Sequence, residues 1–198
     1  MPTWCLSRAR NNPRNREDRP TATAVQDYVI RPYRPADAQH LPAVEVRAAQ
    51  LFTEHGHADL AATPAMEADA FDRLAAQRRT FVAVHVADGP VGFVITSPID
   101  AFLHVEELSV APEHGRRGLG GRLLRTVIGE SRALGLKGVS LSTFRDVPFN
   151  APFYERHGFA EWPLNAAPEA LKERFLIEIP PDVSPESRLL MLRRNSNA

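Results

Sequence analysis

A mixed α/β sheet carrying helices on both faces is the fold this sequence predicts, and three observations predict it. Two apolar, β-branched runs, Phe81 to Val86 and Val91 to Ile95, flank the turn Asp88-Gly89-Pro90 and read as a hairpin. A third run, Leu103 to Val110, leads through a glycine-rich turn and an amphipathic helix to a further strand, Val139 to Phe144. That is one strand–helix–strand crossover. Helices and strands alternate after it.

With 198 residues there is room for one domain whose core needs no staples. Hydrophobic residues at 43% and charged residues at 24% fit a soluble globular chain. The 24 basic residues are balanced by 24 acidic ones, which argues against holding nucleic acid by bulk charge. Cys5 is the single cysteine, so an internal disulfide and a multi-cysteine zinc site are excluded. No apolar run approaches the roughly 20 residues of a membrane span. Arg8, Arg10, Arg14 and Arg16 follow a weakly apolar Trp4-Cys5-Leu6, with no hydrophobic signal core. A cytoplasmic protein is expected.

Residues 1–26 give almost nothing to bury and read as a disordered basic arm ahead of one domain over 27–198. Tyr28 to Arg34 is a first strand. From Pro35 a helix is expected, with Asp37 near its start and Leu41, Val44, Ala48 and Leu51 on one face. Glu54 to Asp59 is the loop that ends it. Its His55 and His57 are too few ligands, at the wrong spacing, for zinc, so no metal is expected. A second helix runs from Pro64 to about Arg78, carrying Met66, Ala70, Phe71 and Leu74. Ser97 to Ala101 is a turn. After the third strand, Leu119, Leu123, Leu124, Val127 and Ile128 make one helical stripe, and the helix stops at Gly135. A compact helix closes at His157-Gly158, and Phe159 opens a strand. Pro168 to Ile177 is a helix and Arg188 to Arg193 the last strand.

Between the third strand and its helix lies His114-Gly-Arg-Arg-Gly-Leu-Gly-Gly121. The first amides of a helix lack intrahelical acceptors and sit at the positive end of its dipole. Glycines allow positive φ and close approach, so this turn suits a phosphate or pyrophosphate, with Arg116 and Arg117 beside it. It is not a phosphate-binding GxxxxGK loop, because no Lys-Ser/Thr pair follows. The dinucleotide pattern GxGxxG fails as well, since Leu123 stands where the third glycine belongs.

Val110-Ala-Pro112 followed by HGRRGLGGRLL resembles the acyl-CoA signature of the GNAT superfamily of N-acetyltransferases. Asn150-Ala-Pro-Phe-Tyr154-Glu-Arg-His-Gly158-Phe159 is similar to its second signature, in which a Tyr precedes a Gly-Phe pair. Two positions depart: Gly115 replaces a usual Arg or Gln, and Val147 a frequent Asn, with Asn150 four residues before Tyr154 instead. The resemblance implies a mostly antiparallel central sheet of six to seven strands. It implies acetyl-CoA as co-substrate, held by Arg116, Arg117, Gly118, Leu119, Gly120 and Gly121 at the pyrophosphate. Leu108, Ser109 and Val110 would pair with the pantetheine, with Tyr154 at the thiol and Asn150 a further cofactor-binding residue.

The implied reaction is direct transfer of the acetyl group to a primary amine in a ternary complex. The amine attacks as the neutral form, although an alkyl ammonium has a pKa of about 10.4, so a base is useful. Tyr154 is the expected acid. Three residues of one strand are candidates for the base: Glu106 first, Glu107 second, His104 third. Glu106 matches the carboxylate position of polyamine acetyltransferases, and His104 the place of the histone acetyltransferases' glutamate. By strand alternation His104 and Glu106 share a face, with Glu107 opposite. Glu54, Asp59, Glu106 and Glu107 suit a cationic small-molecule acceptor. The alternatives are a protein or aminoacyl-tRNA amine, or an acyl-CoA sensor without turnover. Folds of this kind allow a homodimer.

Overall fold

The computed structural model describes residues 27–196 apart from 57, 59–61 and 63. The arm over 1–26, His57 and Asp59 lie outside the described residues, as does the side chain of Glu54. Seven strands form one sheet: β1 (Tyr28–Pro32), β2 (Arg79–His85), β3 (Gly89–Ile99), β4 (Phe102–Val110), β5 (Gly138–Phe144), β6 (Ala160–Glu161) and β7 (Arg188–Arg194). Their spatial order is β1-β2-β3-β4-β5-β7-β6. Only β4 and β5 run parallel; the other five pairs are antiparallel. Among the described residues five α-helices accompany them: α1 (Leu41–Ala49), α2 (Ala68–Ala76), α3 (Leu119–Ala133), α4 (Ala151–Glu155) and α5 (Glu169–Ile177).

The periodic stripe of α3 does what its spacing requires. Leu119, Leu123, Leu124, Val127 and Ile128 are buried against Leu103 and Val105 of β4 and Val139 and Leu141 of β5. Each such side chain contributes about 1.5–3 kcal/mol relative to exposure. On the opposite face, α1 and α2 bury Leu41, Val44, Phe71 and Ala75 against Val82, Phe93 and Ile95. Farther along that sheet, Leu171 and Phe175 of α5 cover Phe102, Leu190 and Leu192.

Three expected elements came out differently. The helix from Pro35 is split: Pro35–Gln39 is a 3-10 turn and α1 begins at Leu41. Pro42 has no N–H to give a continuous α-helix. The Asp37 carboxylate instead holds the turn, accepting from the Arg34 amide at 2.8 Å and from both Arg31 Nη atoms at 2.7 Å. After α1 the chain tightens again into a 3-10 segment, Gln50–His55, closed by Gly56 at φ 81°. The change of period carries Leu51 off the buried face, leaving it 45% exposed. The second helix starts only at Ala68, behind an extended Glu67, so Met66 stays outside. The expected turn over Ser97–Ala101 shrinks to Asp100-Ala101. β3 pairs with β4 as far as Ile99 opposite Phe102, and Asp100 takes φ 49°, which a short polar side chain tolerates.

Candidate active site

β4 holds the centre, and its two edges differ. Along β3 it is paired from Phe102 to Val110, whereas its pairing with β5 ends at Val105 opposite Leu141. Beyond that point β5 continues to Phe144 on β7 alone. The sheet therefore parts between β4 and β5, leaving the β5-side edge of Leu108, Ser109 and Val110 without a strand partner.

At the end of β4 the chain passes through a 3-10 turn, Pro112–His114, into the glycine turn and α3. Arg116 has φ 55° and Gly118, the N-cap, φ 76°. The first backbone bond of the helix runs from the Arg122 amide to the Gly118 carbonyl, 3.0 Å. Among the described residues, the amides from Arg116 to Gly121 donate to no backbone carbonyl. Six unspent donors beside a helix N-terminus form an anion-binding concavity. The glycines are not all there for a ligand. A Cβ on Gly121 would lie 2.6 Å from His157 Nε2, so this glycine lets α3 pack against the turn that closes α4.

Between Ile95 opposite Glu107 and Thr96 opposite Val105, Glu106 has no partner on β3. This bulge shifts the alternation by one residue. Val105 and Leu108 both pack toward α3, and Glu107 turns to the other face beside Ser109, whose hydroxyl donates to Glu107 Oε1 at 2.6 Å. The expectation that Glu107 lies opposite His104 and Glu106 is thus corrected: the bulge brings Glu107 to the His104 face as well, while Glu106 stays linked to His104 through Arg174 and Glu178.

The three base candidates have separate surroundings. Glu106 is held by two guanidinium groups, Arg78 Nε at 3.0 Å and Arg174 Nη2 at 3.3 Å. His104 is fully buried. One ring nitrogen contacts Ser140 Oγ at 3.0 Å and the other both Glu178 oxygens at 3.1 Å. Arg174 Nε also donates to Glu178, at 2.6 Å. Burial pushes the Glu178 carboxyl up, but the bonds and charges of His104 and Arg174 overcome this and hold it below the usual range. Arg78, Glu106, Arg174, Glu178 and His104 are therefore one chain of ion pairs and hydrogen bonds. Glu107 stands outside it and forms no ion pair with a described residue. Burial raises it to about 7, with the Glu45 and Glu178 charges adding and the Ser109 bond and Arg188 opposing.

Tyr154 sits on α4, whose first turn is built by the Asn150 carbonyl accepting from the Phe153 amide at 2.8 Å and the Tyr154 amide at 3.1 Å. The Asn150 side chain caps nothing. Phe153 and Phe159 pack edge-on to the Tyr154 ring, centroids 5.0 and 5.9 Å away. Its hydroxyl has no hydrogen-bond partner among the described residues. Burial and the Glu107 charge push it above the ordinary phenol range, so it stays protonated. Sequence reasoning missed Arg188, at the start of β7, which acts on both Glu107 and Tyr154. A lone arginine opening a terminal strand carries no motif, so nothing in the sequence marks it.

One group among the described residues has the composition of a metal site. His85, Asp88 and His114 present ligand atoms within 4.8 Å of one another. They lie at the β2–β3 turn and before the glycine turn. There His85 Nδ1 meets Asp88 at 2.5 Å and the Tyr28 hydroxyl meets His114 Nδ1 at 2.8 Å. None of them is a candidate acid or base.

A sheet parted between two parallel strands, with an amide-lined turn at the end of one and a carboxyl and a phenol beside the gap, defines an acyl-CoA-dependent acyltransferase. The chain matches the model of the acetyltransferase (GNAT) family over residues 46–159, and it belongs to that family. It is an N-acetyltransferase of the GNAT type, a family that uses acetyl-CoA as co-substrate. It is 30% identical over 133 residues to the Escherichia coli (strain K12) protein named Uncharacterized N-acetyltransferase YafP, covering 66% of this chain and 79% of that one. Its fold is similar to that of the Escherichia coli ribosomal-protein-S18-alanine N-acetyltransferase. The TM-score is 0.60 at 20% identity, over 86% of this chain and 96% of the other. The PaiA N-acetyltransferase of Thermoplasma acidophilum, solved with coenzyme A, gives a TM-score of 0.63 at 14% identity, over 85% and 99%. No helix among the described residues is long and apolar enough to cross a membrane.

Proposed function

We propose that this protein acetylates the primary amine of a small molecule, with Glu107 as general base and Tyr154 as general acid. The observation that carries it is the gap between β4 and β5, bordered by a carboxyl without an ion pair and a phenol without a hydrogen bond among the described residues. Acetyl-CoA supplies the activated thioester. The amides from Arg116 to Gly121 hold its pyrophosphate, and the free edge of Leu108, Ser109 and Val110 takes the pantetheine as an added strand. Asn150 is a further candidate contact of the cofactor.

Glu107, near 7, accepts a proton from the bound ammonium, directly or through one water. The freed nitrogen pair bonds to the acetyl carbonyl carbon as the carbon–sulfur bond breaks, the Tyr154 hydroxyl gives its proton to the departing sulfur, and the acetylated nitrogen then sheds its second proton, which restores the Tyr154 hydroxyl. Glu106 keeps the guanidinium groups of Arg78 and Arg174 in place and takes no proton. His104 has both ring nitrogens engaged and orients Glu178. A small acceptor is favoured by the enclosure of this side. Phe52, from the segment after α1, lies 5.6 Å from Phe144 and 5.2 Å from Phe149, and His55 lies 5.4 Å from Phe149. The segment thus folds onto the end of β5, a closed wall more suited to a metabolite than to a polypeptide.

The test is acetyl-CoA binding by calorimetry with thiol release against a panel of amines, for the wild type, Tyr154→Phe and Glu107→Gln. Binding kept in all three, with turnover reduced roughly 100- to 10,000-fold in the variants, is expected. Binding without turnover on any amine would turn the reading to a sensor or a macromolecular acceptor. Absence of binding would remove the donor site itself.

A further inference from the structure

The acceptor wall contains two buried polar atoms that the protein does not use: Arg188 Nε and Ser142 Oγ. The register places them together. Phe144 is opposite Arg188 and Ser142 opposite Leu190, and directly opposed residues share a face, so both side chains stand on the same face of the β5–β7 pair. The face is that of His104, which contacts Ser140 two residues before Ser142. It is also the face to which the bulge turns Glu107. The Arg188 guanidinium lies over the Phe144 ring, 4.4 Å from its centroid, which fixes the plane of its fork. It makes no ion pair or hydrogen bond with a described residue, although Glu178 and Glu107 are near enough for their charges to act on it.

A desolvated guanidinium is costly unless it is paired. The nearby acids do not pair it: Glu178 is committed to His104 and Arg174, and Glu107 to Ser109. What suits a flat, oriented fork with a neighbouring hydroxyl is a carboxylate, which accepts two parallel N–H bonds and a third from Ser142. Resting on the transferase reading above, the geometry points to an acceptor that bears a carboxylate close to its amine, as an α-amino acid does, bound through Arg188 and Ser142. The amine then lies toward Glu107 and the side chain against Phe52, Phe144 and Phe149. This departs from the purely cationic acceptor that the count of acids suggested. Glu106, one acid of that count, is paired with Arg78 and Arg174.

The experiment compares matched acceptors: phenylalanine with phenethylamine, leucine with isoamylamine, histidine with histamine. Initial rates are measured with the wild type, Arg188→Gln and Arg188→Lys, alongside melting temperature and acetyl-CoA affinity. A wild-type preference for the acid of a pair by roughly ten- to a hundredfold in kcat/KM is expected. Arg188→Gln should lose it through KM while acetyl-CoA affinity stays, and Arg188→Lys should keep part of it. Equal or faster turnover of the decarboxylated amines overturns the carboxylate assignment and leaves the small-amine reading standing. If no amine turns over, calorimetry with N-acetylphenylalanine, N-acetylleucine and N-acetylhistidine in the presence of coenzyme A decides. Binding that Arg188→Gln abolishes supports the subsite, and absence of binding overturns both readings.

Discussion

The two halves of β4 share a strand but not an environment. From Phe102 to Val105 it is paired on both sides and its residues are buried, whereas from Glu106 onward only β3 holds it. Glu106 and Glu107 are adjacent at the boundary. One is locked between Arg78 and Arg174; the other, one residue on, has a single hydroxyl partner and a carboxyl raised to about 7. Identical side chains acquire different chemistry because different groups meet them, two guanidinium groups for one and a single hydroxyl for the other. A carboxylate between two cations belongs to the scaffold, and one that is buried without a cation is available for proton transfer.

The sharpest way to break this contrast is to remove each charge in turn. Glu107→Gln is expected to lower kcat by roughly 100- to 10,000-fold while the melting temperature holds or rises, since it removes a desolvated carboxyl. Glu106→Gln should do the reverse. Leaving Arg78 and Arg174 short of a partner costs about 1–3 kcal/mol in chemical denaturation, with kcat changed less than tenfold. An interchange of these two phenotypes would return the base to Glu106.

A smaller effect probes the donor end, which is built of backbone where the acceptor end is built of side chains. Gly121→Ala pushes a methyl group into His157 and should destabilise by about 1–3 kcal/mol. His157→Ala in the same chain should restore most of it. Failure of that rescue would mean that Gly121 serves the ligand and not the packing of α3 on α4.

The smallest effect is on pH dependence. The folded Glu107 value of about 7 lies above its ordinary 4.5, so the folded state retains a proton that the unfolded state releases between those limits. Stability from this group is present below 4.5 and is lost as pH rises through about 7. Unfolding free energies across this window should fall less steeply with pH in Glu107→Gln than in the wild type. Over the same window wild-type kcat/KM should climb, as the base is freed. A parallel pair of stability profiles would show that Glu107 titrates normally.

Much of the frame could be read from residues alone, because periodicity reports burial wherever an element is regular. The stripe from Leu119 to Ile128 gave α3 its buried face, Gly135 its end, and the alternating runs their hairpin. Where local geometry departs from a regular period, reading failed for identifiable causes. Pro42 split the first helix and the 3-10 segment released Leu51. The bulge at Glu106 brought Glu107 to the face that strict alternation gives to His104 and Glu106. No pattern at period 2 contains a bulge, since the extra residue is visible only against the partner strand.

By itself the sequence determined the family, the sheet with its crossover helix, the amide-rich turn for an anion, and Tyr154 as a candidate acid. All of these depend on spacing within short stretches. Only the tertiary structure decided which of two adjacent glutamates lacks an ion pair among the described residues, where β5 leaves β4, and that Arg188 and Ser142 share a face beside them. Those facts arise between segments far apart in the chain, such as Arg78 with Glu106 across 28 residues and His104 with Glu178 across 74. Charge pairing and desolvation act through space, and no reading along the chain contains those distances.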